Sequence, residues 1–386
     1  MLDREKGFML PPFDFSHAPF IVIWEVTRAC ALSCVHCRAD AIARRNPDEL
    51  TTEEGFRLID QIRSLSQPPP LFVITGGDPM RRPDLVSLVK HAAEAGLVVA
   101  LTPSGTAATT RARLTELKEG GLSRLAVSLD GPNAEAHDAF RRVRGSYGWT
   151  MNIIEAAIDL DLSLQINTTI SRLTLPRLEA MAARVAEFPL SLWALFFLVQ
   201  TGRGASLDQI NADECERVLN DLYDLSCSAP FGIKTTEAPH FHRVIWQREH
   251  QQEAALAIPN GPAEGGRHRV PGTGRRGLRS PRSVTDGNGF LFVDHLGNVC
   301  PSGFLPVVCG NVRSNDLGAI YRDDDIFRRL RDTNALGGKC GRCEFREICG
   351  GSRARAFTAT GALMASDPLC AYEPGRVTAE RLLLAR

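Results

Sequence analysis

Six apolar runs of strand length alternate with amphipathic helical stretches over the first half of the chain, and this alternation limits the fold. The runs are Phe20–Val26, Leu71–Thr75, Leu97–Thr102, Arg124–Leu129, Ser163–Thr169 and Leu192–Val199. Helical stretches lie between them, near residues 52–65, 83–95, 109–119, 149–160 and 174–187. Repeated β/α units predict right-handed crossovers and a parallel sheet. Six units are too few for a closed eight-fold barrel, so we expect an α/β fold with a six-stranded parallel partial (β/α)6 barrel.

Three cysteines, Cys30, Cys34 and Cys37, follow the first of these runs. Three thiolates on one short loop can hold three irons of a cubane [4Fe–4S] cluster, which leaves the fourth iron open to a small chelating molecule. A zinc site would instead need two or four ligands. Since parallel β/α folds place their chemistry at the carboxyl ends of the strands, we expect a cluster at that edge. Three buried thiols without a ligand role are the plain alternative.

The C-x3-C-x2-C spacing after a strand resembles the signature of radical S-adenosylmethionine (SAM) enzymes. The resemblance implies that SAM binds the open iron and yields a 5′-deoxyadenosyl radical, which takes hydrogen from a substrate held over the barrel rim. It also implies an electron donor such as flavodoxin or ferredoxin.

Turns at the other strand ends resemble the SAM-binding positions of that superfamily. Gly76-Gly77-Asp78-Pro79 is similar to its Gly-Gly-Glu-Pro turn, which receives the SAM amino group, with Asp78 in place of glutamate. Glycine at both positions would let the backbone approach the ligand closely. The resemblance implies further SAM contacts at Ser104, Ser128, Asp130, Arg144 and Asn167. Arg144 is placed to meet the SAM carboxylate, and His36 either lines the adenine or packs.

Four cysteines near the C-terminus form a second ligand-like set, spaced C-x2-C-x5-C-x20-C. They are Cys340, Cys343, Cys349 and Cys370. The spacing is compatible with a zinc ribbon. It also resembles the SPASM extension of radical SAM enzymes, and this implies a second, auxiliary [4Fe–4S] cluster that would accept the leftover electron. Whether Cys300 and Cys309 support a further cluster stays open, because too few ligands accompany them.

Several strings resemble the branch of the superfamily that acts in alternative haem and haem d1 biosynthesis. They are Thr235–His240, Pro301–Pro306, Gly310–Arg313 and Cys349–Arg355. The resemblance covers about residues 18–375 and implies a modified tetrapyrrole as substrate. The expected reaction is oxidative removal or conversion of a carboxylate-bearing side chain.

Arginine forks match carboxylates bidentately, so arginines are candidate contacts for such a substrate. Arg275 and Arg276 belong to the Gly-, Pro- and Arg-rich segment Gln251–Arg282, which we predict to be a loop. Closure of this loop over a carboxylate-bearing substrate is one interpretation. A solvated loop without this role is the alternative. Glu237, His240 and Arg243 are further candidates, because they follow a short strand-like run.

These patterns divide the chain into four predicted parts. An N-terminal extension covers 1–19, a radical SAM partial barrel covers 20–205, a helical segment with the arginine-rich loop covers 206–285, and a SPASM-like auxiliary cluster domain covers 286–386. A chain of 386 residues suits one large α/β domain with a smaller appendage.

The composition limits which classes of binding partner and which cellular compartment the sequence predicts. A net charge of +0 gives no field that favours nucleic acid or an anionic membrane, and no apolar stretch approaches a membrane span. Eleven cysteines at ligand spacings favour metal use in a reducing cytoplasm. Two alternatives remain, a maturase of ribosomal peptides and a zinc-binding module without activity. About nineteen residues precede the first strand, which is too short for the leader-binding domain of many peptide maturases.

Overall fold

The computed structural model describes residues 14–256 and 283–375. The strands are β1 (Ile21–Glu25), β2 (Leu71–Thr75), β3 (Val99–Leu101), β4 (Leu122–Ser128), β5 (Ser163–Ile170), β6 (Leu192–Phe197), β7 (Gly232–Thr236), β8 (Phe290–Val293), β9 (Asn298–Cys300) and β10 (Gly310–Asn311). The α-helices are α1 (Thr52–Ser64), α2 (Leu85–Glu94), α3 (Arg111–Glu119), α4 (Ala134–Arg141), α5 (Ser146–Asp159), α6 (Leu178–Val185), α7 (Ala212–Ser228), α8 (His240–Leu256), α9 (Leu317–Asp323), α10 (Asp325–Arg331), α11 (Gly338–Arg342) and α12 (Arg353–Thr360).

The described strands form one sheet in the order β10-β9-β8-β1-β2-β3-β4-β5-β6-β7. From β1 to β7 each strand pairs in parallel with the next, and β8 joins β1, also in parallel. Strand β9 pairs antiparallel with both β8 and β10. The expected α/β fold with a mostly parallel sheet is confirmed.

The predicted strand count of six is wrong, because the sheet continues beyond both β1 and β6. On one side, β7 reads Gly-Ile-Lys-Thr-Thr and lacks the apolar run that marked the other strands. On the other, β8 is apolar, but its partner β1 lies at the far end of the chain, and local patterns do not show such pairings. Strand β7 from the predicted part 206–285, and strands β8 to β10 from the predicted part 286–386, thus belong to the same sheet as the strands of residues 20–205. The boundaries of the four predicted parts stay a prediction.

Helices α4 and α8 also differ from expectation. The short helix α4 was not predicted; it begins where the Asn133 side chain accepts a hydrogen bond from the Ala136 amide. Helix α8 extends to Leu256 and so occupies the start of the predicted loop Gln251–Arg282. The rest of that loop, including Arg275 and Arg276, lies outside the described residues.

The two faces of the sheet have different environments. Right-handed crossovers between neighbouring parallel strands place the connecting helices on one face. Side chains on that face, such as Trp24, Phe72 and Trp193, are fully buried. The opposite face, here called the inner face, carries the paired residues Glu25 and Thr75, Ser128 and Asn167, and Ala194 and Lys234. Several of these side chains are only partly buried, so the inner face has room for a ligand.

A buried arginine fastens the C-terminal segment to the carboxyl end of β6. Arg355 donates hydrogen bonds to the carbonyls of Phe197 and Leu198, both at 3.3 Å, and to the Glu237 carbonyl at 2.8 Å. Its Nη1 also lies 3.2 Å from the Asp367 carboxylate. Because a buried cation needs such partners, this network fixes the C-terminal cysteines relative to the sheet.

Candidate active site

The loop with Cys30, Cys34 and Cys37 lies beyond the carboxyl end of β1. The Cys30 amide donates to the Ile42 carbonyl at 2.8 Å, and Arg203 Nε donates to the Cys34 carbonyl at 3.0 Å. Cys34 is buried, whereas Cys30 and Cys37 are half-buried. Burial raises the pKa of Cys30 and Cys34, and a neighbouring thiolate of the loop acts in the same direction on each. Cys34 therefore interacts electrostatically with both other cysteines of the loop.

The Gly76–Pro79 turn packs directly against the chain that leads into this loop. The Gly77 amide donates to the Thr27 carbonyl at 2.6 Å, and the Asp78 amide donates to the Ala29 carbonyl at 2.7 Å. A Cβ atom at Gly77 would lie 2.4 Å from the Arg28 carbonyl oxygen. Glycine is therefore needed here for an approach to protein backbone, a reason that differs from the expected approach to a ligand.

Two of the predicted SAM contacts, Gly77 and Ser104, meet beside Cys30 of the cysteine loop. The Ser104 hydroxyl donates to the Gly77 carbonyl and lies next to the Cys30 thiol. The Asp78 side chain, in contrast, points into the protein, where its carboxylate accepts from the Thr106 hydroxyl at 2.6 Å and from the Met80 amide at 3.2 Å. Its burial is complete and raises its pKa.

The ends of β4 and β5 bring two more predicted residues together. Ser128 and Asn167 are neighbours in register, and both are half-buried on the inner face. The Asn167 Oδ1 atom accepts from Gln165 Nε2 at 2.6 Å. Asp130 is buried instead, and its carboxylate accepts from the Thr169 amide at 2.7 Å.

Arg141 is a site residue that the sequence analysis missed. Its side chain is buried, forms an ion pair with Asp130, and donates to the Cys34 sulfur at 3.6 Å. Although burial opposes its charge, Asp130 and Cys34 hold the pKa of Arg141 above its usual value. The predicted Arg144 is exposed and lies three residues beyond. The capping residue Asn133 was the one local signal of the helix that positions Arg141.

His36 packs rather than points outward. Its ring stacks on Phe140, with 4.4 Å between ring centroids. Burial lowers the pKa of His36 to about 4, so it is neutral at neutral pH.

The four C-terminal cysteines lie around a cavity that is separate from the cysteine loop. Cys340, Cys343, Cys349 and Cys370 line one small cavity, together with His240, Arg243 and Lys339. Arg353 donates to the Cys340 sulfur at 3.8 Å, and Lys339 Nζ donates to the Cys370 carbonyl at 2.7 Å. Within residues 14–256 and 283–375, no three His, Cys, Asp or Glu side chains converge on a single metal ion. A cubane does not require such convergence, because it spreads its ligands over separate irons.

Two of the candidate substrate contacts, His240 and Arg243, line this cysteine cavity. Glu237 lies nearby in sequence and contacts the C-terminal segment. His240 Nε2 lies 3.3 Å from the Asp367 carboxylate. Burial by itself lowers the pKa of His240, but Asp367 and Cys370 raise it to about 9. Arg243 pairs with Glu216 and lines the cavity. Glu237 accepts a hydrogen bond from Ser352.

The other cysteines lie apart from that cavity. Cys309 and Cys300 are on paired segments, where the Cys309 amide donates to the Val299 carbonyl at 2.8 Å. Cys215 is buried on α7, whereas Cys227 is exposed near the end of that helix. No helix among the described residues is long and apolar enough to cross a bilayer.

Comparison with known proteins identifies the family. Residues 24–183 match the model of the radical SAM superfamily. A protein of Oleidesulfovibrio alaskensis named AdoMet-dependent heme synthase is 39% identical, over 94% of this chain and 89% of the relative. A protein of the same name from Methanosarcina barkeri is 35% identical, over 94% of this chain and 99% of the relative. A PqqA peptide cyclase of Bradyrhizobium diazoefficiens is 27% identical, over 92% of this chain and 87% of the relative.

The fold agrees with these matches. The structure of SuiB from Streptococcus suis, solved with S-adenosylmethionine, aligns with a TM-score of 0.68, covering 92% of this chain and 78% of that one at 14% identity. The family match and the relatives named AdoMet-dependent heme synthase confirm the expectation of a radical SAM enzyme, and membership of that family implies a [4Fe–4S] cluster and SAM as cofactors. The chain belongs to the radical SAM superfamily, in the group whose members include the AdoMet-dependent heme synthases.

Proposed function

We propose that this enzyme acts on a modified tetrapyrrole in haem-type biosynthesis, and that it oxidatively removes or converts a carboxylate-bearing side chain. One observation carries the proposal. Two relatives named AdoMet-dependent heme synthase are 35% and 39% identical over nearly the whole chain, whereas the peptide cyclase is 27% identical. Peptide maturation is therefore the second candidate.

The geometry at the cysteine loop fits the cofactors of the family. Cys30, Cys34 and Cys37 would hold the cluster, and the buried Arg141 would offset part of the thiolate charge at Cys34. Together the cluster and SAM supply a 5′-deoxyadenosyl radical. The Gly77 carbonyl and the Ser104 hydroxyl lie beside Cys30 and would orient the SAM amino group.

The remaining predicted SAM contacts differ in their burial and in the role that we propose for each. Ser128 and Asn167 border the same edge of the inner face and would meet the ribose end of SAM. Asp130 is bound to Arg141 and would act by holding it. Arg144 stays the candidate for the SAM carboxylate, because its exposed side chain is free to turn toward a ligand.

We also propose a second, auxiliary [4Fe–4S] cluster in a SPASM-like extension. Cys340, Cys343, Cys349 and Cys370 share one cavity, and His240, Arg243 and Lys339 line it. Basic side chains near four thiolates reduce the cost of burying negative charge. A zinc site on the same cysteines is the alternative, and it would contain zinc without sulfide.

The test is turnover with defined substrates under anaerobic conditions. The reconstituted enzyme would receive SAM, a reduced flavodoxin or ferredoxin, and either iron-coproporphyrin or a sirohaem-derived intermediate. We expect 5′-deoxyadenosine and a tetrapyrrole of altered side-chain mass, both measured by mass spectrometry, and neither in a Cys34→Ala control. If no tetrapyrrole changes while a peptide is modified, the second candidate replaces the proposal.

A further inference from the structure

Lys234 lies on the inner face, in the same row as two predicted SAM contacts. In register, Lys234 on β7 pairs with Ala194, which pairs with Asn167, which pairs with Ser128. Paired residues of neighbouring parallel strands point to the same face of the sheet, and neighbouring strands lie about 4.8 Å apart. Lys234 therefore lies about 10 Å from Asn167 across the sheet, estimated from two strand spacings.

The surroundings of Lys234 leave its charge uncompensated. Its side chain is exposed, yet the enclosing protein removes enough water to lower the pKa of Lys234. In the described part of the chain, Lys234 makes no hydrogen bond or ion pair. The acidic residue of the same face, Glu25, is already paired with Arg38 and His295. An exposed ammonium that is partly desolvated by the neighbouring protein and has no counter-charge is stabilised when an anion binds.

We propose that Lys234 binds a carboxylate of the substrate on the inner face. The inference rests on the proposed function, because the substrate there carries several carboxylates. A ligand spanning the row from Lys234 to Ser128 would have one end held by the ammonium and the other beside the cysteine loop. Lysine suits this role because its charge sits on a long, adjustable stem. Binding at Lys234 would thus determine which part of the substrate faces the SAM site.

Binding measurements on three variants test the inference. Lys234→Met removes the charge and keeps the length, Lys234→Arg keeps the charge, and Lys90→Met is the matched control. Lys90 is exposed on α2 and lies 3.8 Å from Glu94, on the helix-covered side. Each would be titrated spectrally with iron-coproporphyrin and with its fully methyl-esterified form. Thermal unfolding would show that each variant is folded.

We expect Lys234→Met to weaken binding of the acid by roughly 10- to 100-fold, the effect of one hydrogen bond between charged groups. Binding of the ester should not change, Lys234→Arg should recover much of the loss, and Lys90→Met should match the wild type. If Lys234→Met binds the acid as tightly as the wild type, the inference is overturned while the tetrapyrrole proposal stands.

A labelling experiment separates failure of the inference from failure of the proposed function. If the wild type binds neither porphyrin form, the tetrapyrrole proposal fails. Acetic anhydride labelling would then be read by peptide mass spectrometry with and without mellitate, a benzene polycarboxylate. Protection of Lys234 but not of Lys90 supports a carboxylate site, and equal labelling of Lys234 in both samples overturns it.

Discussion

Nη1 of Arg141 lies 3.6 Å from the Sγ atom of Cys34, so a buried cation at the end of α4 contacts the middle cysteine of the loop. The same guanidinium forms an ion pair with Asp130, at the turn after β4. One side chain therefore links the cysteine loop to the carboxyl end of a distant strand. The loop geometry and the β4 turn should respond together to changes at this position.

Replacing Arg141 should destabilise the protein even before any cofactor binds. Arg141→Met would leave the Asp130 carboxylate buried without its partner, which typically costs about 3–5 kcal/mol of unfolding free energy. Asp130→Asn in the same chain should restore part of that loss, because the uncompensated charge is gone. Urea unfolding of the two variants and the wild type measures both effects. Equal stability of Arg141→Met and wild type would show that the pair contributes little.

Local sequence patterns predicted the elements whose signals are short-range. The six expected strands exist, and so does the helix expected near residues 52–65, which begins at a capping box formed by Thr51 and Glu54. The residues at the strand ends also meet at one edge, as with Ser104 beside Gly77 and Cys30. Parallel strands in chain order make this geometry nearly independent of detailed packing.

Features that depend on distant partners could not be predicted in this way. Pairing of β8 with β1 and the contact of Arg141 with Cys34 join residues far apart in sequence. His240 is a candidate substrate contact from its sequence position, and the structure adds that the folded C-terminal segment brings Asp367 to within 3.3 Å of its ring. The sequence shows that His240 can bind a metal or an anion, but which group it contacts depends on residues distant in sequence.

Cys34→Ala should abolish reductive cleavage of SAM, because all three loop thiolates are needed to hold a cluster with one open iron. Cys227→Ala is the matched control, since Cys227 is exposed on α7 and distant in sequence from the loop. The yield of 5′-deoxyadenosine under anaerobic reducing conditions is the measurement. Formation of 5′-deoxyadenosine by folded Cys34→Ala protein at the wild-type rate would refute the cluster assignment.

The iron content should be about eight per chain after anaerobic reconstitution, from two cubanes of four irons each. Iron and sulfide would be measured on the same sample, with zinc as a check on the alternative ligand set. A value near four would remove the auxiliary cluster. A value near twelve would show that Cys300 and Cys309 help to hold a third.

Substrate binding should weaken when Arg275 and Arg276 are both changed to alanine, because two potential carboxylate contacts are lost. Added salt should weaken binding by the wild type, since charge pairs near solvent are screened. Spectral titration with iron-coproporphyrin at two salt concentrations tests both points. Arg57→Ala, which removes an exposed charge on α1, is the control and should bind as the wild type does. Identical affinity of the double variant and the wild type would remove these arginines from the site.

Cys343→Ala should separate the two cysteine sets. Cys343 lines the C-terminal cavity, whereas the proposed SAM site is at the loop that follows β1. The variant should therefore still form 5′-deoxyadenosine but yield no product, while Cys227→Ala, at an exposed position on α7 that does not line the cavity, should keep both activities. Both compounds would be measured in one assay, alongside the unfolding temperature.

The other outcomes of that assay are equally informative. Normal product formation by Cys343→Ala would mean that the four C-terminal cysteines are not needed for catalysis, and a structural role would explain them better. If the variant does not fold, metal binding at this cavity is coupled to folding, as in other small metal-binding domains. Cys349→Ala would then distinguish the two cases, because Cys349 lines the same cavity and should fail in the same way if metal binding, rather than the Cys343 side chain alone, stabilises the segment.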